Sequence, residues 1–189
     1  MVVTTKYGGY SSTVRTLVCG TSNEGSIPSS HPIYLKLSKM KYFHQIDFQD
    51  IKNHCILIDI DGTLAAHNQE VSEPMIFEQI EKIKPHNYLL ICSNNYNQQR
   101  QEKTAQDLNI EILTSSYKKP NPRVLENLSK KNQPILIIGD KFLTDQRLAR
   151  KTRTKFIKVK RVTATTDPWY VKISYWFDDF FYWLDCRLS

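Results

Sequence analysis

From residue 55 onward, short apolar runs alternate with longer segments whose apolar residues recur at helical spacing. Continuous apolar runs of this kind are typical of strands buried on both faces of a parallel sheet. Five strands are predicted, at residues 55–60, 88–92, 110–113, 134–138 and 156–159. Helices are predicted between the first four of them, at residues 72–84, 97–108 and 122–130. Ser72 is the predicted cap of the first helix, with Pro74 in its first turn. The alternation predicts an α/β fold with a three-layer, Rossmann-like parallel sheet.

Composition places the chain among globular proteins. It has 189 residues, of which 40% are hydrophobic and 24% charged, enough for one domain and an extension. No apolar run approaches the ~20 residues of a membrane-spanning helix. The cysteines show neither a CxxC pair nor metal-ligand spacing, so a reducing cytoplasm is expected, and Cys55 and Cys92 are predicted to be core residues.

Residues 1–39 differ from the remainder of the chain. They contain four of the six glycines, are rich in Ser and Thr, and show no helical or strand period, which predicts an unstructured leader. Residues 7–32 can also be written in codons that resemble a bacterial histidine tRNA gene, so translation is expected to begin near Met40. The formal charge is +7 for the whole chain, and from Met40 onward 22 basic residues (26 less four) face 18 acidic ones (19 less one), a charge of +4.

Two aspartates follow the first predicted strand, in the sequence Asp59-Ile60-Asp61-Gly62-Thr63-Leu64. Side chains two residues apart on an extended chain point to the same side, so the carboxylates of Asp59 and Asp61 are expected to lie together. At a separation of ~4 Å they would repel by about 4 kcal/mol at an effective dielectric constant of 20. A divalent cation would relieve this repulsion, and Mg²⁺ prefers oxygen ligands. Gly62 lets the chain turn beyond the pair. The alternative is an acidic turn that caps a helix.

Polar residues also follow the second strand, where Ser93 and Asn94 offer donors for phosphate oxygens. On their own they are equally typical of a turn. Lys118 and Lys119 precede the third predicted helix and are candidate phosphate ligands, although lysines are common in solvated loops.

The fourth strand leads to Gly139, which is followed by Asp140 and then Asp145. Because ligands of open parallel sheets bind beyond the carboxyl ends of the strands, these carboxylates are expected beside the first pair. Alternatively, Thr144 or Asp140 caps the next helix.

The order of these strand ends, over residues 52–162, resembles that of the haloacid dehalogenase (HAD) phosphohydrolase superfamily. The phrases Ser-Asn-Asn, Lys-Lys-Pro and Gly-Asp-Lys-Phe-Leu-Thr-Asp are similar to those of its IIIA subclass, in particular the YqeG-like group, which includes phosphatidylglycerophosphate phosphatases. One position departs from that group, because Gly62 stands where its members usually carry asparagine.

The resemblance implies roles for individual residues. Asp59 would be the nucleophile that forms an aspartyl phosphate, and Asp61 the general acid and base. The implied cofactor is Mg²⁺, and its expected ligands are Asp59, the backbone carbonyl of Asp61, and Asp140, with Asp145 in support. The residues expected to hold the phosphoryl oxygens are Ser93, Asn94 and Lys119, with Lys118 as the alternative to Lys119. The supporting positions are Gly62, Thr63 and Gly139.

Substrate choice in this superfamily depends largely on inserted cap domains. The intervals from Asp59 to Ser93 and from Ser93 to Lys119 have ordinary βαβ lengths, so no cap domain is predicted. An uncapped cleft admits a phosphate on a bulky body. The predicted substrate is phosphatidylglycerophosphate, hydrolysed at a membrane surface, and no nucleic-acid partner is expected. The alternatives are a phosphatase for nucleotides, sugar phosphates or polynucleotide ends, and a non-catalytic interaction module.

The C-terminal part of the chain carries two further patterns. Every charged residue from 147 to 161 is basic, which suits a solvated face or an anionic membrane. A helix is predicted at residues 168–187, with a stripe formed by Trp169, Ile173, Trp176, Phe180 and Trp183. The stripe could pack on the sheet as core, lie in a membrane interface, or form a dimer contact. The acidic residues of this helix weaken the membrane alternative.

Overall fold

The protein folds around a five-stranded parallel sheet, as the computed structural model of residues 40–130 and 132–188 shows. Its strands are β1 (Cys55–Ile58), β2 (Tyr88–Ile91), β3 (Glu111–Ile112), β4 (Ile135–Gly139) and β5 (Lys155–Lys158). They lie in the order β3-β2-β1-β4-β5, and every neighbouring pair is parallel. The predicted parallel α/β sheet is confirmed. The leader at residues 1–39, with its tRNA-like reverse translation, lies outside the described residues.

Side chains of the central strand β1 alternate between two apolar clusters. Ile56 and Ile58 join apolar residues of the first two helices on one face of the sheet. Cys55 and Leu57 join a second cluster on the other face. Cys92 is buried in this second cluster, so both cysteines predicted to be core residues are confirmed as such. Because both faces are covered, the sheet forms the middle of three layers.

Among the described residues, four α-helices accompany the sheet: α1 (Pro74–Ile83), α2 (Gln98–Leu108), α3 (Arg147–Thr152) and α4 (Trp169–Leu188). The prediction that Ser72 caps α1 is wrong. A residue that precedes proline is disfavoured in the helical conformation, so Glu73 is extended and the helix starts at Pro74. Helix α2 is capped by Asn97, whose side chain accepts a hydrogen bond from the Arg100 backbone N–H.

The prediction of a helix at residues 122–130 is also wrong, since the segment contains only one short 3₁₀ helix, Pro122–Leu125. Val124 and Leu128 are nevertheless buried in the second apolar cluster. The Asn127 amide donates a hydrogen bond to the Thr114 carbonyl at 3.1 Å. A segment this short forms no stable helix without strong packing along its whole length, and the chain instead follows these individual contacts.

The carboxyl ends of β1 and β4 lie side by side at the point where the strand order reverses. The chain runs outward from β1 through β2 to β3 and then returns to place β4 on the other side of β1. Ile58 pairs with Ile138 at this end, so Asp59 and Asp140 emerge from neighbouring strands. Open α/β sheets bind their ligands at such a reversal.

The connections from β1 to β2 and from β2 to β3 each contain a single α-helix, α1 and α2 respectively. Within residues 59–118, all of which the structure describes, no cap domain is therefore inserted. The cleft beyond the strand ends is consequently not covered by an insertion at either position.

Helix α4 packs on the domain through the face opposite the predicted aromatic stripe. Val171, Tyr175 and Asp178 are buried, whereas Trp169 is 74% and Trp176 63% exposed. The interpretation of the stripe as sheet core is therefore wrong. The inward face instead carries aspartates that pair with basic residues of the domain, as described below. No helix of the described residues is long and apolar enough to cross a bilayer.

Candidate functional site

Three buried aspartates converge where β1 and β4 end. One carboxylate oxygen from each of Asp59, Asp140 and Asp145 lies within 4.8 Å of the others. Asp59 follows β1, Asp140 follows β4, and Asp145 belongs to a π-helical segment, Phe142–Gln146. The approach is close, because a Cβ at Gly139 would lie 2.4 Å from Asp145 Cγ. We call these three residues the acidic cluster.

Lys119 bridges two members of the acidic cluster. Its Nζ donates hydrogen bonds to Asp59 Oδ1 at 2.8 Å and to Asp145 Oδ1 at 2.6 Å, and the residue is 5% exposed. Asn94 fixes its backbone: the Asn94 amide donates to the Lys119 carbonyl and its oxygen accepts the Lys119 N–H, each at 2.8 Å. Asn94 thus positions Lys119 in this structure, and Lys119 rather than Lys118 reaches the carboxylates.

The electrostatics of the acidic cluster leave it short of positive charge. Burial raises the pKa of Asp59 to about 7, an effect that the Lys119 ammonium opposes. Burial by itself would lower the pKa of Lys119, but the carboxylates of Asp145 and Asp59 outweigh this and raise it. Burial likewise raises the pKa of Asp140, against the influence of Arg161. Among the described residues, the three carboxylates form direct ion pairs with two cations, Lys119 and Arg161.

A divalent cation fits this deficit. Asp140 Oδ2 accepts a hydrogen bond from Arg161 Nε at 2.5 Å, whereas the buried Asp140 Oδ1 has no partner among the described residues. An unpartnered buried carboxylate oxygen is costly, and a cation beside it would remove that cost. An all-oxygen donor set is also the type that suits Mg²⁺. The acidic cluster is therefore a suitable magnesium site.

The side chain of Asp61 does not join the acidic cluster. Its carboxylate accepts hydrogen bonds from the Asn95 amide at 2.7 Å and the Asn68 backbone N–H at 2.9 Å. Arg100 Nη1 lies 2.9 Å from the same carboxylate, and Arg100 is 7% exposed. These donors fix the orientation of Asp61. Arg100 is not among the site residues predicted from the sequence, because an arginine in a polar helix carries no local signal of burial.

The site opens into a cleft of about 360 Å³. Its lining comprises Asp59, Asp61, His67, Asn68, Ser93, Asn94, Asn95, Tyr96, Lys119, Lys141 and Thr144. The Ser93 hydroxyl oxygen accepts a long hydrogen bond of 3.2 Å from the Asn95 N–H at the cleft wall. Thr63 is fully buried, and its hydroxyl has no partner among the described residues. The predicted phosphate ligands Ser93 and Lys119 therefore share one cleft with Asp59.

A larger cavity of about 540 Å³ lies elsewhere, at the amino ends of β2 and β3. Its one acidic lining residue, Glu111, accepts a hydrogen bond from the Tyr88 hydroxyl at 2.6 Å. It is lined by no convergent group of carboxylates, so chemistry is expected in the smaller cleft at the opposite end of the strands.

The chain is similar to a known protein family, to a bacterial protein and to a solved structure. A family model described as mitochondrial PGP phosphatase matches residues 27–161. The chain is 28% identical over 93 residues to a probable phosphatase, YqeG, of Bacillus subtilis (strain 168), which covers 48% of this chain and 54% of that protein. It thus spans about half the length of this relative. Among solved structures, a chain of a Pnkp1/Rnl/Hen1 complex is similar with a TM-score of 0.44 and 16% identity, over 69% of this chain and 53% of that chain. A likeness this weak carries no functional argument.

Gly62 provides a test of the close packing around Asp140. Its φ is +86°, and a Cβ there would lie 2.6 Å from Asp140 Oδ2. We expect Gly62→Ala to lower the free energy of unfolding by at least about 1–2 kcal/mol, because a side chain is strained in this conformation. It should also weaken Mn²⁺ binding, measured by electron paramagnetic resonance, since Asp140 must move.

The matched control is Asn109→Ala. Asn109 also has a positive φ, of 49°, but it ends α2 and lies at the amino side of β3. This variant should lose stability without a change in Mn²⁺ affinity. Mn²⁺ binding of wild-type strength in Gly62→Ala would contradict the assignment of Asp140 to a cation site.

Proposed function

This chain belongs to the family of mitochondrial PGP phosphatases, and we propose that it is a Mg²⁺-dependent phosphomonoesterase that acts through an aspartyl phosphate. The observation that carries the proposal is the buried acidic cluster, bridged by Lys119 and open to a cleft that Ser93 also lines. A nucleophilic carboxylate, a fixed ammonium and a suitable cation site are the groups that phosphoryl transfer requires.

Each step uses a residue of this cleft. Asp59 attacks phosphorus and forms a new P–O bond while the bond to the leaving alkoxide breaks. Asp61, on the cleft wall, donates a proton to that alkoxide. Asp61 then accepts a proton from water, whose oxygen attacks phosphorus, releases inorganic phosphate and restores the Asp59 carboxylate. Lys119 and Ser93 hold the equatorial oxygens as their negative charge develops.

The cation would be held by Asp59 and Asp140, with Asp145 beside them and the Asp61 backbone carbonyl as a further ligand. Mg²⁺ would reduce the repulsion between the Asp59 carboxylate and a phosphate dianion. Asp145 also ties the arrangement together, because it accepts hydrogen bonds from Lys119 Nζ and from the Thr144 hydroxyl, the latter at 3.2 Å.

Asp59→Asn tests the nucleophile. An amide oxygen is a much weaker nucleophile than a carboxylate, so we expect hydrolysis of an aryl phosphate at saturating Mg²⁺ to fall about a thousandfold or more. Far-UV circular dichroism should show an intact fold. Asp107→Asn, an exposed aspartate of α2, is the matched control and should retain full activity. An Asp59→Asn variant that kept its activity would remove Asp59 from this role.

We propose phosphatidylglycerophosphate as the substrate. The family match supports this choice, and so does the absence of a cap domain within residues 59–118, since an uncapped cleft admits a phosphate at a lipid surface. The rim of the cleft is open, as the 91% exposure of Tyr96 shows. Soluble nucleotides and sugar phosphates, which an enclosing cap would otherwise hold, are expected to be poorer substrates.

Phosphate release across a substrate panel tests this choice. We expect phosphatidylglycerophosphate in mixed micelles to be hydrolysed with a kcat/KM at least about tenfold above those of nucleotides, sugar phosphates and 5′-phosphorylated oligonucleotides. Removal of Mg²⁺ by EDTA should abolish release, and added Mg²⁺ should restore it. Preference for any of the soluble or polynucleotide substrates would overturn the lipid assignment but not the phosphatase assignment.

We further propose that the exposed face of α4 lies in an anionic membrane interface. The acidic residues of α4 weigh less against this placement, because each of them has a basic partner on the domain. Asp178 and Asp179 contact Arg161 at 3.2 and 3.1 Å, and Asp185 pairs with Arg150.

The exposed basic residues of α4 and of residues 147–161 favour an anionic partner. Lys172 and Arg187 are the exposed basic residues of the helix itself. Among the basic residues of the segment 147–161, those that are exposed are Arg147, Lys151, Arg153, Lys155 and Lys160. Each basic residue close to an anionic bilayer adds about 1 kcal/mol of attraction, and Trp and Tyr favour the interface.

Trp176→Ala tests this surface. We expect partitioning onto phosphatidylglycerol-containing vesicles, measured by sedimentation, to fall about tenfold, or about 1.4 kcal/mol of apolar transfer. Partitioning should also weaken at high salt. Met75→Ala on α1, where the side chain is 49% exposed, is the control and should bind like wild type. The proposal would be contradicted if Trp176→Ala bound vesicles like the wild-type protein. It would also be contradicted if the substitution abolished a dimer of the protein instead of weakening vesicle binding.

A further inference from the structure

The loop that carries Asp140 and Asp145 is capped by a residue of α4. The first two N–H groups of the π-helical segment, those of Phe142 and Leu143, donate to Asp178 at 2.9 and 2.8 Å. The alternative that Thr144 or Asp140 caps the next helix is therefore wrong. The cap of the π-helical segment comes from 35 residues further along the chain, from a carboxylate that is only 2% exposed.

Asp178 also holds the arginine that contacts Asp140. Arg161 Nη2 lies 3.2 Å from Asp178 Oδ2, while Arg161 Nε donates to Asp140 Oδ2. The guanidinium stacks 4.3 Å from the centre of the Tyr175 ring, which confines it to one plane. Arg161 thus joins α4 directly to one oxygen of the acidic cluster.

The contact between Arg161 and Asp140 Oδ2 also affects the other carboxylate oxygen of Asp140, Oδ1. With Oδ2 held by Arg161, the carboxylate plane is fixed and Oδ1 is left buried without a partner among the described residues. Without Arg161 in place, Asp140 could rotate, and Oδ1 would no longer be presented to the cluster. Asp178 therefore acts on the same cation ligand in two ways, through its two hydrogen bonds to the loop backbone and through Arg161.

We propose that Asp178 is a positioning residue for the cation site, which it acts on by capping the loop after β4 and by holding Arg161 against Asp140. The proposal rests on the assignment of Mg²⁺ to the acidic cluster. It also means that α4, whose outer face carries the exposed aromatic side chains, is bound through its inner face to a ligand of the reaction centre.

A purely structural role for Asp178 is the competing explanation. Helix α4 has a separate anchor, because Asp185 pairs with Arg150 of α3. Docking of the helix therefore does not depend on Asp178 alone. A buried carboxylate placed at this position also costs desolvation, which apolar packing would avoid. Its contacts with the loop and with Arg161 offset that cost and lie next to the acidic cluster.

Asp178→Asn is the test, with Mn²⁺ affinity of the substrate-free protein as the readout, measured by electron paramagnetic resonance. We expect the dissociation constant to rise at least about tenfold. The Mg²⁺ concentration for half-maximal aryl phosphate hydrolysis should rise in parallel, while KM at saturating Mg²⁺ changes little. A role in folding alone would lower Tm but leave Mn²⁺ affinity unchanged in the folded protein.

Asp185→Asn is the matched control, since it makes the same change on the same helix and removes the other anchor. It should lower Tm with Mn²⁺ affinity unchanged. Wild-type Mn²⁺ affinity in Asp178→Asn, or an equal loss in Asp185→Asn, would overturn the proposal.

If Asp178→Asn does not fold, Arg161→Gln decides, because it keeps the hydrogen bonds from the loop backbone to Asp178 and removes the guanidinium that contacts Asp140, Asp178 and Asp179. Weaker Mn²⁺ binding by that variant supports the proposal, and unchanged binding refutes it. If neither variant folds, the pair is a determinant of folding and the positioning role is refuted. If the wild-type protein binds no Mn²⁺, the assignment of a cation to the cluster fails first, which separates the two ideas.

Discussion

Burial of three carboxylates at one edge of the sheet is the constraint on which the site depends. Asp59, Asp140 and Asp145 are each less than one tenth exposed, and their oxygens lie within 4.8 Å of one another. Like charges at such distances are tolerated in a protein interior only when cations and hydrogen-bond donors surround them. Lys119 supplies one cation and Arg161 a second, and the remaining deficit suits a divalent ion. Burial raises the pKa of Asp59, the neighbouring carboxylates of Asp145 and Asp140 add to the rise, and the Lys119 ammonium opposes it.

Much of the neighbouring chain is arranged to keep these charges in place. Two glycines let the backbone approach the carboxylates, since a Cβ at Gly62 or Gly139 would overlap Asp140 or Asp145. Asn94 fixes the backbone of Lys119 with two hydrogen bonds. Preorganisation of this kind is what allows a carboxylate and an ammonium to act on a phosphoryl group without rearrangement during the reaction.

Helix α4 connects the reaction centre to the outside of the molecule. Its inner face supplies Asp178 to the loop after β4, and its outer face exposes Trp169, Trp176 and their aromatic neighbours. Exposed aromatic side chains grouped on one helix face are typical of interaction surfaces. If the surface binds a bilayer, the same helix would set both the position of the cleft relative to the lipid and the orientation of Asp140.

The sequence by itself determined the strands, the parallel sheet and the residues that follow each strand end. These features are local: apolar runs specify buried strands, and a parallel sheet brings their carboxyl ends to one edge, so Asp59, Ser93 and Asp140 were expected at that edge. The role expected of Lys119 came from the resemblance to the HAD superfamily. The helix predicted at residues 122–130 does not form, because separate contacts with other parts of the fold determine the conformation of this segment.

Only the tertiary structure decided which side chains surround the carboxylates. Arg100, Arg161 and Asp178 come from three different elements, and nothing in their local sequence distinguishes them from surface charges. Their partners lie 17 to 39 residues away in the chain (Arg161 to Asp178, Arg100 to Asp61). Tertiary contacts also decide which face of α4 is buried. Buried carboxylates need cations beside them, and a periodic aromatic stripe does not show where those cations lie.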